Sequence, residues 1–189
     1  MRYAAIVVTR QQQIVDVAAE LFAERGFHGV SVQDIGEAVG ISGPALYKHF
    51  SGKAELLQHS LTSVSDRLLA EGTRRAEEAP DASAALDALI DWHVDFALTH
   101  PALIVIQERE WSTLDAASRE RVRETQLAYI DVWVGVLREL RTDLDRPAAR
   151  ASVQAAFGLL NSTPHSARLN DRQMRALLTQ MAHRALLAP

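Results

Sequence analysis

The stretch Ser31 to Leu57, SVQDIGEAVGISGPALYKHFSGKAELL, constrains the fold more than any other part of the chain. It holds two short helical patterns joined by a tight glycine turn. Ser31 is suited to cap the first, with Asp34 three residues on, where a carboxylate meets the exposed amides and positive dipole end of a helix start. Val32, Ile35 and Val39 form its inner face, and Gly40 ends it as a left-handed cap. Gly36 inside this helix costs about 1 kcal/mol relative to alanine; it points either to close approach of another backbone or to a tolerated imperfection. The second pattern opens at Ser42, again a capping residue, with Gly43 and Pro44 in the first turn, where a missing N–H is harmless. Ile41 and Leu46 point inward, which leaves Ala45, Tyr47, Lys48 and His49 facing out.

The flanking sequence is helical throughout. From Thr9 to Arg25, residues Ile14, Val17, Ala18, Leu21 and Phe22 repeat at helical spacing, between a capping Thr9 and a terminating Gly26. Ser51 is placed to cap a fourth helix, whose stripe of Leu56, Leu57, Leu61, Val64 and Leu68 runs to about Glu78. After Pro80, Asp81 or Ser83 caps a helix through Thr99, and His100–Pro101 breaks it. A shorter helix then reaches Trp111, and a long one spans about Ala116 to Arg141. Asp145 caps a helix to about Asn161 that carries Ala151, Ala155, Ala156 and Gly158. A loop around Pro164 precedes a last helix, Asp171 to Leu187, striped by Met174, Leu177, Leu178, Met181 and Ala185. Period-2 alternation of β-branched residues never persists, so the fold class is all-α, with about nine helices. A three-helix, helix-turn-helix domain over residues 1–55 would precede a helical ligand-binding and dimerisation domain over residues 56–189.

Composition narrows the function classes. There is no cysteine, which removes disulfides, thiolate metal sites and a cysteine nucleophile, and fits a reducing cytoplasm. MRYAAIVV is shorter than a signal-peptide core and lacks a small-residue cleavage site, so it reads as a frayed leader. No window reaches the roughly 20 apolar residues that span a bilayer, and no membrane partner is expected. The net charge of −4 argues on its face against a nucleic-acid partner. Distribution outweighs the sum: the chain's only lysines are Lys48 and Lys53, and no acidic residue lies between Glu37 and Glu55.

A helix that enters a major groove needs small residues at its start and donors at its end to grip phosphates. Ser42, Gly43, Pro44 and Ala45 supply the first; Tyr47, Lys48, His49 and Lys53 supply the second. Ser31 and Gln33 are further phosphate candidates. Lys48 reaches either a guanine edge or a phosphate, Ala45 can touch a thymine methyl, and His49 has a rival role at the helix end. The run Ala19, Leu21, Phe22, Gly26, Phe27, then Val32, Ile35, Val39, Gly40, Ile41, Ser42, then Leu46, Tyr47, His49, Phe50, Lys53 and Leu57 resembles the N-terminal domain of the TetR family of transcriptional repressors. The resemblance covers about the first 60 residues; Gly36 departs from the alanine usual there. It implies phosphate contacts by Tyr47 and Lys53, base reading by the start of that helix, and a C-terminal domain enclosing a small-molecule pocket whose occupancy changes the separation of two DNA heads.

Residues that interrupt the aliphatic stripes of the C-terminal part are the candidate pocket lining: Trp92, His93, Phe96, Glu110, Trp111, Gln126, Tyr129, Trp133, Phe157 and Asn161. His93 and Gln126 sit on apolar stripes, where a polar group needs a partner. The aromatic bias suggests a hydrophobic or amphipathic effector such as an acyl thioester, fatty acid or aromatic compound. One recognition helix covers few base pairs, so a homodimer on a palindromic, double-stranded operator is expected, with the helices at 147–161 and 171–187 as its interface. Asp91 with His93, or Ser162 with His165, would be fragments of a catalytic site, but neither has an orienting third group. No enzyme, cofactor or metal site is therefore expected. The alternative regulator, controlled by a protein partner or by no effector, would lack an internal cavity.

Overall fold

A computed structural model describes residues 9–188; the leader-like MRYAAIVV segment lies outside them. Helix α1 (Arg10–Arg25) starts at Thr9, whose hydroxyl accepts the Gln12 N–H at 3.1 Å, and ends at Gly26 with φ +74°. In α2 (Val32–Val39) Ser31 and Asp34 cap each other reciprocally, and Gly40 closes the helix in the left-handed region at φ +75°. The turn that follows explains Gly36. Ile41 N–H donates to the Gly36 carbonyl at 2.8 Å, and a Cβ on Gly36 would lie 2.9 Å from the Ile41 carbonyl oxygen. A second backbone does approach closely there.

Helix α3 (Gly43–Leu46) is a single α-helical turn capped by Ser42, extended by hydrogen-bonded turns to Phe50. Helix α4 (Lys53–Glu78) is capped differently from expectation. Gly52 occupies the N-cap without a side-chain bond, while Ser51 N–H and hydroxyl both donate to the Glu55 carboxylate, at 2.6 and 2.7 Å. Helix α4 runs straight across the expected boundary at residue 55.

The remaining elements are α5 (Ala82–Thr99), α6 (Pro101–Glu110), a 3-10 turn (Trp111–Thr113), α7 (Ala116–Leu140), α8 (Arg146–Leu160), α9 (Thr163–Ser166) and α10 (Asp171–Leu187). Asp81, Asp115, Asp145 and Asn170 each accept a backbone N–H at a helix start, which sets four of these boundaries. The described residues form ten α-helices and no strand, against about nine expected. The extra one is α9, read as a loop around Pro164; Thr163 hydroxyl fixes it by donating to the Ala97 carbonyl at 2.6 Å. No single helix among the described residues is long and apolar enough to cross a membrane.

Two apolar clusters organise these helices. One gathers Ile14, Ala18, Phe22, Ile35, Leu46, Leu57 and Leu61 with Phe96, Leu103, Ile106 and Val122, so the core of the N-terminal head continues into α5, α6 and α7. The other joins α5, α7, α8 and α10 through Leu86, Ile90, Trp133, Leu137, Val153, Leu160 and Leu178. Where α4 crosses α7, Gly72 lies under the Tyr129 ring: a Cβ there would come within 2.4 Å of the ring carbon Cε2.

Candidate functional site

The head presents one continuous outer surface from the start of α2 to the start of α4. Ser31 and Gln33 are exposed, but each has a local partner: the Ser31 hydroxyl belongs to the α2 cap, and Gln33 Nε2 donates to Glu37 at 3.0 Å. Ser42 is exposed and accepts the Ala45 N–H at 3.3 Å, Pro44 is exposed, and Gly43 and Ala45 are half-buried. Leu46 fills the core behind them, so α3 turns its small residues outward. Tyr47 is 57 % exposed, and Lys48 and His49 are exposed with no side-chain hydrogen bond among the described residues.

Lys53 departs from the sequence expectation. Its ammonium donates to the Phe27 carbonyl at 2.8 Å and the Val30 carbonyl at 2.9 Å, and sits 4.5 Å from the centre of the Phe27 ring. The reason is geometric: the chain between α1 and α2 passes over the start of α4 with two carbonyls outside any helix, and the Lys53 ammonium lies within hydrogen-bond reach of both. Two of its three N–H donors are thus spent inside the protein. A further feature went unread in the sequence. With Gly52 at the N-cap, no side chain among the described residues caps the α4 amides, which leaves them open to a phosphate beside the Glu55 carboxylate of the first turn, itself taken up by Ser51.

A cavity of about 160 Å³ lies between α4, α5, α6, α7 and α8. Six of the expected residues line it: His93, Phe96, Gln126, Tyr129, Phe157 and Asn161. His93 is its structural centre. The ring stacks on Phe157 with centroids 4.5 Å apart, and Nε2 is 3.0 Å from Asn161 Oδ1. Nδ1 is 3.4 Å from the Tyr129 hydroxyl. With the amide oxygen facing Nε2, that nitrogen carries the proton and Nδ1 accepts from tyrosine. Burial holds the His93 pKa down at about 4, the Asn161 bond opposing the shift, so the ring is neutral. Burial pushes the Tyr129 phenol up, and it stays protonated. Gln126 is half-buried and its amide has no partner among the described residues.

Four expected lining residues do not reach this cavity. Glu110 is buried elsewhere: its carboxylate accepts the Phe27 N–H at 2.9 Å and the Thr113 hydroxyl at 3.2 Å, which ties the end of α6 to the head. Trp111, one residue on, packs against the head core for the same reason. Trp92 faces the other side of α5, with the Arg75 guanidinium 5.0 Å from its ring centre and its indole N–H 3.4 Å from the Leu68 carbonyl. Trp133 stands behind the lining, fully buried and edge-on to His93, Tyr129 and Phe157. Its indole nitrogen has no hydrogen-bond partner among the described residues. Sequence reasoning missed Leu68, Ile104, Gln107, Glu108 and Ile130 as lining. The aliphatic ones are indistinguishable from core by pattern, while the polar pair one turn before Glu110 was a usable signal.

The catalytic fragments do not assemble. Asp91 pairs with Arg175 at 3.2 Å, away from the buried His93, and Ser162 donates to the Leu159 carbonyl at 2.7 Å. His165 lies 3.6 Å from Glu108.

Comparison with known proteins agrees with this geometry. A family model described as bacterial regulatory proteins, tetR family, matches residues 14–59, and one described as Tetracyclin repressor-like, C-terminal domain, matches residues 79–165. The HTH-type transcriptional repressor KstR2 of Rhodococcus jostii is 29% identical over 161 residues, 82% of this chain and 76% of that protein. A TetR-family transcriptional regulator from Bordetella parapertussis superposes with a TM-score of 0.82 at 22% identity, covering 97% of this chain and 95% of that one. AibR, solved in complex with isovaleryl coenzyme A and operator DNA, gives 0.72 at 21% identity, covering 92% and 97%. At these identities the two solved structures show a shared fold. The family matches fall on the head and on the helical body alike, and the chain belongs to the tetR family of bacterial regulatory proteins.

Proposed function

We propose that the protein is a ligand-responsive transcriptional repressor that binds a palindromic operator as a homodimer and is released when a hydrophobic or amphipathic small molecule occupies the cavity. The observation that carries this reading is that one helix serves both sites. On α6, Ile104, Gln107 and Glu108 face the cavity, while Ile106 enters the head core, Arg109 donates to the Ala23 carbonyl at 3.1 Å and Glu110 holds the Phe27 amide. A molecule that displaces α6 therefore also displaces α1 and the loop before α2. The cavity favours this reading over control by a protein partner, and the names of KstR2 as a repressor and of AibR as bound to isovaleryl coenzyme A and operator DNA support it.

In this reading the start of α3, Ser42 to Ala45, lies against base edges, and Tyr47, Lys48 and His49 grip phosphates with the open amides of α4. Ser31 and Gln33 flank the groove. Lys53 acts chiefly by fixing the loop and offers its third N–H to a phosphate. The dimer forms through the outer faces of α8 and α10, where Ala151, Ala155 and Gly158 on one helix and Leu177 and Met181 on the other, the latter two 40% and 42% exposed, are left uncovered. Selection of bound fragments from a random double-stranded DNA pool tests the reading. It should enrich a sequence with two inverted half-sites spaced about one helical turn apart or a multiple of it. Recovery of unenriched DNA would reject it.

A further inference from the structure

The cavity combines small size with an interior that carries no positive charge. Among the described residues neither lysine nor arginine lines it. The two titratable groups inside, His93 and Tyr129, are both neutral for the reasons given above, and the one formal charge on the lining is the exposed Glu108 carboxylate at the rim. Its volume of about 160 Å³ matches the apolar cavities of roughly 150 Å³ that hold one benzene ring. Its polar equipment consists of amides: Gln126 is unpartnered, and Asn161, whose oxygen is taken by His93, keeps its NH2 group free among the described residues.

A carboxylate drawn into such a space would lose its water, find no cation and face Glu108 on the way in. Burying an unpaired anion is far more costly than burying a neutral polar group that finds a hydrogen bond. A carbonyl oxygen, by contrast, meets the N–H donors of two amides. We propose that the group this cavity recognises is uncharged and compact, about the size of one aromatic ring or a short branched chain, with a single carbonyl-type acceptor held by the Asn161 and Gln126 amides. A free carboxylic acid at neutral pH is excluded, while the acyl end of a neutral ester, ketone, amide or thioester is admitted. This rests on reading the cavity as the effector site, and it adds the chemical class of the effector.

The test compares acetophenone with benzoate, two probes of nearly equal size that differ in charge, by isothermal titration and by thermal shift at neutral pH. Acetophenone should bind and raise Tm, and benzoate should bind at least about tenfold more weakly. The double variant Asn161→Leu/Gln126→Leu should lose the preference for acetophenone over an unsubstituted benzene probe. Gln126→Lys, which places a cation at the lining, should turn the preference towards benzoate. Benzoate binding to the unmodified protein as tightly as acetophenone would overturn the proposal, and so would failure of both to bind. Displacement from DNA is scored separately. Acetophenone binding without operator release would refute the effector reading while leaving the recognition chemistry intact.

Discussion

His93 shows how one residue sets both stability and chemistry. Its polar character on an apolar stripe was legible, and so was its need for a partner. That the partners would be Asn161, at the C-cap of α8, and Tyr129, from α7, was not, because helical periodicity carries no information on which helices face one another. The unfolded chain protonates this histidine near its ordinary 6.5, whereas the folded protein resists until about pH 4. Between those values the unfolded state binds more protons, so stability is full above 6.5 and falls as the pH drops through this window. The loss should reach about 3 kcal/mol. Two other groups add slope of the same sign: Glu71, held at about 2 by its bond from Arg74, as the pH falls below its ordinary 4.5, and His100, which partial burial also lowers from 6.5, so the difference between the native protein and a His93 variant isolates His93. Urea unfolding of the native protein and of His93→Gln between pH 7 and pH 4 measures the effect; the slope should be present in the first and much reduced in the second. The two lysines separate in the same way. Lys48→Ala should leave Tm unchanged and lower the slope of log affinity for DNA against log salt by about 0.9. Lys53→Met should destabilise the fold by about 1–3 kcal/mol by stripping the Phe27 and Val30 carbonyls of their donor. Equal effects of the two substitutions on Tm would contradict this division. Spacing placed both lysines at the end of the reading helix, and only the fold could show that the preceding loop folds back onto one of them.

At the scale of elements, the starts of α1, α2, α3, α5 and α8 were written in the sequence, since Thr9, Ser31, Ser42, Asp81 and Asp145 cap where capping chemistry says they should, whereas the start of α4 was not. Helix α6 was the element least well read. Its polar residues Gln107, Glu108 and Glu110 look alike in one dimension, yet one turn of helix separates two that face the cavity from one buried against the head. Glu110 was expected on the pocket and instead forms the joint. Glu110→Ala leaves the Phe27 N–H without an acceptor, which should cost about 1–3 kcal/mol. If the joint carries the response as proposed, this variant should bind operator while losing most of its sensitivity to a cavity ligand. Fluorescence anisotropy with labelled operator, with and without ligand, reads both quantities at once, and an undiminished ligand response would remove α6 from the mechanism. Gly72 belongs to this scale too: it permits the close crossing of α4 and α7 that sets the Tyr129 ring at the cavity wall, and nothing in its local sequence marks it.

For the molecule as a whole, charge is the telling quantity. A head with so few cations should bind DNA weakly alone, so useful affinity requires two heads held at a fixed separation, the task proposed above for the α8 and α10 faces. The sequence showed the α10 stripe, but the fold divides it: Met174 and Leu178 turn inward, and Leu177 and Met181 are left outside. Sedimentation equilibrium at micromolar concentration should give twice the chain mass, and the double variant Leu177→Glu/Met181→Glu should give a folded monomer with sharply reduced operator affinity. A native monomer would refute the dimer. The central claim is that cavity and DNA surface are two ends of one equilibrium, and linkage requires any coupling between them to be reciprocal. The most direct test is a pair of titrations of the dimer: operator with and without saturating cavity ligand, and ligand with and without saturating operator. The account predicts that each weakens the other by the same factor, about tenfold or more; identical affinities with and without the second partner would contradict it.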